Sequence, residues 1–539
     1  MIKETKTISR KDFIKGAAAS LAGVAAFGLV GCSNDTQAAP TTTEPDGILW
    51  DYETDVVVVG FGGAGAAAAW EAGTAGAEVI ILEKEEKAGG STNICGGLIT
   101  IGGGNALQKA AGFEDTVENF YNYLVASLGQ GTDEKELLVF AEKSPEMYTW
   151  LTEKIGVVFK PGVNPLWPEP PNYEAGLTCT GDEYSNDYVG KTVPVYRTGW
   201  VESELKPGQK DGSGFFQPLL RAVNAIPNVK VMYQTPGEEL VYDHELQRVI
   251  GVKAKQNDKD IMIKARKAVI LTAGGFGNNK EMVKTYCPAF IDIPALGTGA
   301  DTGDGIRMAQ AVGAAVRNMH FAFSTINATS YFTQAGCAGG PLSQGILVNQ
   351  LGVRFVAEDH YHSWLAEYML QNQIPDKYIP SYAVFDSKIM EDVPENLREG
   401  LKNLIQAEAN SFEELAKALG TPEGVLENTI RFYNSCAAKG VDVLFNKRKQ
   451  FITPIEKPPF YAAAIKPSVM FTTGGLRINT DAQVLSTATG EPIKGLYSAG
   501  RNASNVIAQQ YGGSGMSVAS CFVFGRIAGQ KAAAELSWS

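Results

Sequence analysis

The segment DVVVVGFGGAGAAAAWEAGTAGAEVIILEKEEKAGG, Asp55 to Gly90, holds a strand, a glycine turn, a helix and a second strand in that order. Asp55–Val59 is an unbroken run suited to a strand buried on both faces. Gly60-x-Gly62-x-x-Gly65 follows at once and opens an alanine-rich helix. The first glycine permits the turn, the second lets backbone approach a pyrophosphate, and the third lets helix and strand pack closely. Gly63 and Ala64 sit within that approach. The second strand, Val79–Leu82, ends at Glu83, where a ribose hydroxyl needs an acceptor, with Lys84 beside it. The glycine pattern alone means little in a chain with 59 glycines. With both strands, the helix and the acid in sequence it marks a dinucleotide site. Glu83 points to an unphosphorylated ribose, hence NAD or FAD rather than NADP.

Outward from this segment, small-residue turns recur after apolar strands. They are Gly89-Gly90-Ser91-Thr92, Gly96-Gly97, VILTAGGFGNN (Val269 to Asn279, with Gly274), DTGDG (Asp301 to Gly305, with Asp304) and GLYSAGR (Gly495 to Arg501, with Gly500). Backbone takes this form where it hugs a long cofactor. One fingerprint with distant glycine turns suits extended FAD, and no second fingerprint exists for NAD(P)H.

In order, and over nearly all the chain after Trp50, these motifs resemble the flavoprotein family of soluble fumarate reductases, 3-ketosteroid dehydrogenases and related enoate reductases. The resemblance implies an α/β fold in which a Rossmann-like FAD-binding domain, residues 50–319 and 462–539, is interrupted by an α+β capping domain, residues 320–461. It implies non-covalent FAD contacted by Ala64, Glu83, Ser91, Thr92, Gly96, Gly97, Asp304, Gly515 and Met516. The helix starting near Ser514 would turn its positive end toward the flavin and stabilise the reduced ring.

Fumarate reductases of the family hold a dicarboxylate with a His before T-x-G-G, an Arg before L-G-G and a proton-donating Arg after N-E. Here VMFTTGGL puts Phe471 at the first place, QQYGGSG puts Gln510 at the second, and RFVAEDHYHSW puts His362 at the third, with Tyr361 adjacent. Two carboxylates without cationic partners cost several kcal/mol each to desolvate, so a diacid is disfavoured. The ketosteroid dehydrogenase branch matches better. Its Tyr and, four residues on, its Gly that hold a ring carbonyl oxygen correspond to Tyr511 and Gly515. The proton-transfer position falls on His362 by count, or on Tyr361 after a one-residue slip. Arg197, in VYRTGW, is a further substrate-side candidate by the same resemblance. The bland alternatives are that Tyr511 only stacks on the flavin, His362 is a satisfied histidine, and Phe471 belongs to a core strand. NPLWPEPPNYEAG, Asn164 to Gly176, is either an aromatic lid or a surface loop.

The remaining features set limits. The 539 residues carry a net charge of −12, which argues against nucleic acid as a partner. The 4 histidines and 7 cysteines have neither zinc-ligand spacing nor a C-x-x-C, so no metal site, c-type haem or dithiol motif is expected. SRKDFIKGAAASLAGVAAFGLVGC has a basic start, an apolar stretch short for a membrane span, and a cysteine. It resembles a twin-arginine export signal (residues 1–31, with Lys11 in place of the second arginine) and a lipobox that would lipidate Cys32. Residues 32–49 read as a flexible tether. The expectation is an exported, lipid-anchored FAD oxidoreductase on the outer face of the cytoplasmic membrane. It would act on a C=C bond beside a carbonyl, with a steroid- or bile-acid-like enone favoured, and take electrons from a quinone-linked or cytochrome donor. The competing readings are a reductase of another enoate, fumarate-like or an aryl acrylate, and a flavin lipoprotein that transfers electrons without turnover.

Overall fold

The computed structural model describes residues 47–160, 177–291, 293, 298–334, 337–372 and 380–538. The signal, Cys32 and the segment Asn164 to Gly176 lie outside the described residues. The chain divides into Met1–Ile48 and Leu49–Ser539, and the second unit contains everything that follows.

Val56, Val57 and Val58 have no exposed surface, because β1 (Tyr52–Val59) runs through the middle of an eight-stranded sheet. On one side β1 pairs in parallel with β2 (Val79–Leu82), Val57 opposite Ile80. On the other it pairs in parallel with Lys259–Leu271, Val57 opposite Val269. Val229–Met232 and Pro492–Ser498 continue the parallel order outward. Parallel neighbours on both edges leave such a strand no polar environment, hence the continuous valines. Between β1 and β2 runs α1 (Gly63–Thr74). A Cβ on Gly65 would land on the Gly60 carbonyl oxygen, so only glycine lets the helix start this close to the turn.

The strands Lys259–Leu271 and Pro492–Ser498 lie side by side, Ile270 opposite Tyr497, yet a long stretch of chain separates them. Much of it forms a second sheet of antiparallel strands ordered Ile346–Val348, Ser381–Asp386, Phe460–Ile465, Ile405–Ala409. That sheet has its own apolar cores, one around Phe332, Leu365 and Phe385, the other around Val348, Leu415 and Ile430. Helix α2 (His362–Gln371) is pinned to the first by Leu365, Ala366 and Met369. A two-stranded ribbon, Ala322–Ile326 against Pro467–Thr472, sets Phe323 opposite Phe471. The fold is thus α/β, a largely parallel sheet interrupted by an insertion with its own antiparallel sheet and helices.

The last helix, α3 (Met516–Ala534), lies along α1, with Gly525 against Ala64 and Gly529 against Ala68. Small residues on both sides allow the close approach. Among the described residues no helix is long and apolar enough to cross a membrane.

Candidate active site

A cavity of about 450 Å³ is bordered by the N-terminal ends of both α1 and α3. At its nucleotide end Glu83 is largely buried. Its carboxylate accepts the Phe61 N–H at 2.8 Å and the Glu85 N–H at 2.9 Å, which braces the glycine turn. The cap of α1 is Gly62, which supplies no side-chain acceptor, so the first-turn N–H groups form an anion site. The Gly63 N–H is the exception, donating to Thr92 Oγ1 at 3.2 Å. A Cβ on Gly62 would meet nothing closer than 3.9 Å, so the backbone there borders open space. Gly60, Ala64, Gly90, Ser91 and Gly96 line the same space, as do Gly274 and Gly500 on later turns. These features fit FAD: an acceptor for a ribose, free N–H groups and bare backbone for a pyrophosphate, and a second helix N-terminus further along.

The cations at this cavity are largely committed. Lys84 Nζ donates to Asp304 Oδ2 at 2.9 Å and to the Ala300 carbonyl at 2.6 Å. Arg501 pairs with Asp301 at 2.7 Å, donates to Ser91 Oγ at 2.5 Å and lies 5.1 Å from the Phe471 ring centre. Lys87, at the nucleotide end, is well exposed. Two thiols, Cys95 and Cys521, also line the cavity. Burial pushes each up to about 11, so both stay protonated.

At the other end α3 begins at Gly515, whose φ is +92° and whose Cβ would sit 2.5 Å from Ile99 Cα. The preceding residue is held on three sides. The Thr100 and Thr198 hydroxyls donate to the Ser514 carbonyl at 3.0 and 2.8 Å, and the Ser514 N–H donates to the Thr180 carbonyl at 2.7 Å. Tyr511 stacks on Phe323 at 4.0 Å and meets Phe471 edge-on at 5.8 Å. Its phenol oxygen accepts the Ser517 N–H at 3.1 Å. Tyr361 Oη lies 2.6 Å from Ser514 Oγ. His362 Nδ1 lies 2.9 Å from Thr325 Oγ1. Burial pushes both phenols up and holds His362 down to about 3. Near neutral pH the site therefore presents two phenol donors and a neutral imidazole.

Several expected residues stand elsewhere. Arg197 is fully buried in a bidentate pair with Asp115, at 3.0 and 2.9 Å, packed on the rings of Phe120 and Tyr123. Its charge is spent on the fold and it does not line the cavity. Gln510 is also buried away from it, with its N–H held by the Leu128 carbonyl at 3.1 Å. Gly65, Gly97 and Met516 do not line it either. Gly65 serves helix packing, Gly97 lies against the Asp211 backbone, and Met516 is fully enclosed. Conversely Phe323, Ser514 and Ser517 line the cavity without having been singled out. The alternation of the HFAFSTIN strand was the available signal for Phe323. For Ser514 no signal exists apart from its place in the glycine run.

A nucleotide end built by α1 and β2, joined to an aromatic end under α3, defines an FAD-dependent oxidoreductase. The chain belongs to the FAD binding domain family, whose model matches residues 55–518. It is 33% identical over 504 residues to the urocanate reductase of Eggerthella lenta, covering 91% of this chain and 76% of that protein. With the digoxin reductase of the same organism it shares 27% identity, over 98% of both chains. Among solved structures it resembles the 3-ketosteroid-Δ4-(5α)-dehydrogenase of Rhodococcus jostii RHA1, in complex with 4-androstene-3,17-dione. There the TM-score is 0.80 at 34% identity, over 90% of this chain and 98% of that one. The chain spans from 47% to 98% of the length of the curated relatives it matches. It is an enzyme of the group containing fumarate reductases and ketosteroid dehydrogenases, acting on carbon–carbon double bonds with FAD.

Proposed function

We propose that the protein reduces the C=C bond conjugated to the ring ketone of a steroid-like enone. The observation that carries this is the aromatic end of the cavity. Phe323, Phe471, Tyr511 and Tyr361 meet there, and the nearest cation, Arg501, is already paired with Asp301. An apolar ring system fits such walls, whereas a second carboxylate would find no free partner. The similarity to the Rhodococcus enzyme supports the same class.

When bound, FAD supplies the hydride chemistry. The chain's own part is to orient the ketone and manage charge and protons. Negative charge develops on the carbonyl oxygen, and the Tyr511 O–H with the Gly515 N–H stabilises it. Fixed donors of this kind are worth about 2.7–4 kcal/mol each. Because the Tyr511 oxygen accepts a backbone N–H, its hydroxyl proton is available to donate. Tyr361, coupled to Ser514, handles the proton at the α-carbon. His362, kept neutral by burial, shapes the pocket beside it. Ala64, Glu83, Ser91, Thr92, Asp304 and Arg501, which line the cavity, would hold FAD along its length.

Export and lipidation at Cys32 belong to the same proposal. Cys179 is buried and disulfide-bonded, which suits an oxidising compartment. Outside the cytoplasm a quinone-linked or cytochrome donor would deliver the electrons. The test is reoxidation of the dithionite-reduced holoenzyme. 4-Androstene-3,17-dione should reoxidise it rapidly and fumarate should not. Reoxidation by fumarate or urocanate alone would establish the acid-enoate reading, and reoxidation by none of them would overturn the enone assignment.

A further inference from the structure

His360 is buried, yet both its ring nitrogens face carboxylates. Nδ1 lies 3.2 Å from Asp182 Oδ2 and Nε2 lies 3.2 Å from Asp187 Oδ2. The ring also stacks on Trp364 at 6.0 Å. The other oxygen of Asp182 accepts the Tyr361 N–H at 2.6 Å. Asp182 therefore grips the backbone of Tyr361 and the side chain of its neighbour at once. The same turn reaches the other partner of the Tyr361 hydroxyl. Thr180 accepts the Ser514 N–H, and Gly181 bridges to Gly513. The turn is itself rigid. Buried Glu183 accepts the Thr180 and Gly181 N–H groups at 2.6 and 2.8 Å, and Cys179 before it is disulfide-bonded. One turn thus holds both main chains whose hydroxyls meet 2.6 Å apart.

We infer that His360, as an imidazolium between Asp182 and Asp187, is the positioning residue that seats Tyr361 against Ser514. Loss of its charge releases that seat. The charged groups around it come from every side. Asp182 and Asp187 belong to the turn segment, with Lys191 acting on Asp187. Asp359 precedes it, pairs with Arg448 at 2.7 Å and also favours the histidine's charge. The phenols of Tyr188 and Tyr368 stay protonated, because burial and these carboxylates push both up. Burial alone works against the histidine's charge, but the two carboxylates outweigh it and push His360 up to about 10. The imidazolium is then the resident form across the working range.

The inference rests on Tyr361 being the proton carrier, and the experiment separates the two. In His360→Gln, amide exchange near neutral pH should quicken together in residues 359–364 and 511–515. For 4-androstene-3,17-dione, kcat should fall on the order of tenfold to a hundredfold, as for a misplaced reacting group, with KM little changed. In Asp187→Asn, whose carboxylate is half exposed, the alkaline limb of kcat should move down by about one pH unit. In His360→Gln that limb should vanish. Unaltered exchange in either segment, or a limb that keeps its position in His360→Gln, overturns the inference. Wild-type kcat in Tyr361→Phe would instead remove the role of Tyr361, while joint loss of protection in His360→Gln would still establish the seat.

Discussion

Tyr511 spends its acceptor capacity on the Ser517 N–H and keeps its own proton for the cavity. Tyr511→Phe removes that donor but retains the stack on Phe323. It should lower kcat on the order of a hundredfold with the flavin absorbance spectrum intact, as steady-state assays of the purified holoenzyme will show. His362 lies 6.0 Å from the Phe323 ring on which Tyr511 stacks, and burial holds it down to about 3. A histidine depressed in the fold stabilises it above its usual 6.5, and that contribution is lost as pH falls toward 3. His362→Gln should therefore flatten the acid side of the thermal-stability profile and add no titration of activity between about pH 5 and 8. Arg197 makes the opposite point. Its guanidinium serves Asp115, so Arg197→Ala leaves a buried carboxylate unpaired. The expected loss is about 3–5 kcal/mol of stability, measured by denaturant unfolding, with no specific rise in KM for the protein that remains folded.

At the scale of elements, the start of α3 does two jobs. Its first turn borders the cavity and donates the Ser517 N–H to Tyr511, and the backbone at Gly515 runs against Ile99. Gly515→Ala cannot keep both, because an added Cβ collides with backbone and φ is already positive. The expected outcome is protein purified with little or no FAD, checked by the ratio of flavin to protein absorbance. The glycines at Gly525 and Gly529 belong to the same element but serve packing on α1. A larger residue there should loosen both helices and lower the thermal midpoint. The elements of the nucleotide end were legible in the sequence because each is local: a valine run, a glycine turn and an acid after the next strand. The pairing of Phe323 with Phe471 was not, since the two ribbon strands lie at opposite ends of the insertion and meet only when it folds.

For the molecule as a whole, His360 joins the turn around Asp182 to the segment that leads into α2. Its elevated position near 10 stabilises the fold fully below its usual 6.5. Between 6.5 and 10 the native state holds a proton that the unfolded chain has lost, so stability declines as pH rises through that window. Thermal melts of wild type and His360→Gln should diverge most at neutral and acid pH and converge toward pH 10. Together His360 and His362 bound the stable range from opposite sides.

Sequence alone made the FAD-binding unit and the family resemblance legible, and put Phe471, Gln510 and His362 where that resemblance places the dicarboxylate-holding residues. Those features are written in neighbouring residues, where backbone sterics and burial act directly. It also brought Tyr511, Gly515, Tyr361 and His362 forward as candidates. Tertiary packing decided which of them share one cavity, and turned Arg197 and Gln510 away from it. It also gave the two neighbours different surroundings, Tyr361 Oη against Ser514 Oγ and His362 Nδ1 against Thr325 Oγ1, with burial holding the imidazole down to about 3. Nothing in the spacing of Asp182, Asp187 and His360 announces an ion cluster. It exists because the fold closes about 180 residues of chain into one contact, and a loop that long is specified by the surfaces that meet rather than by any local signal.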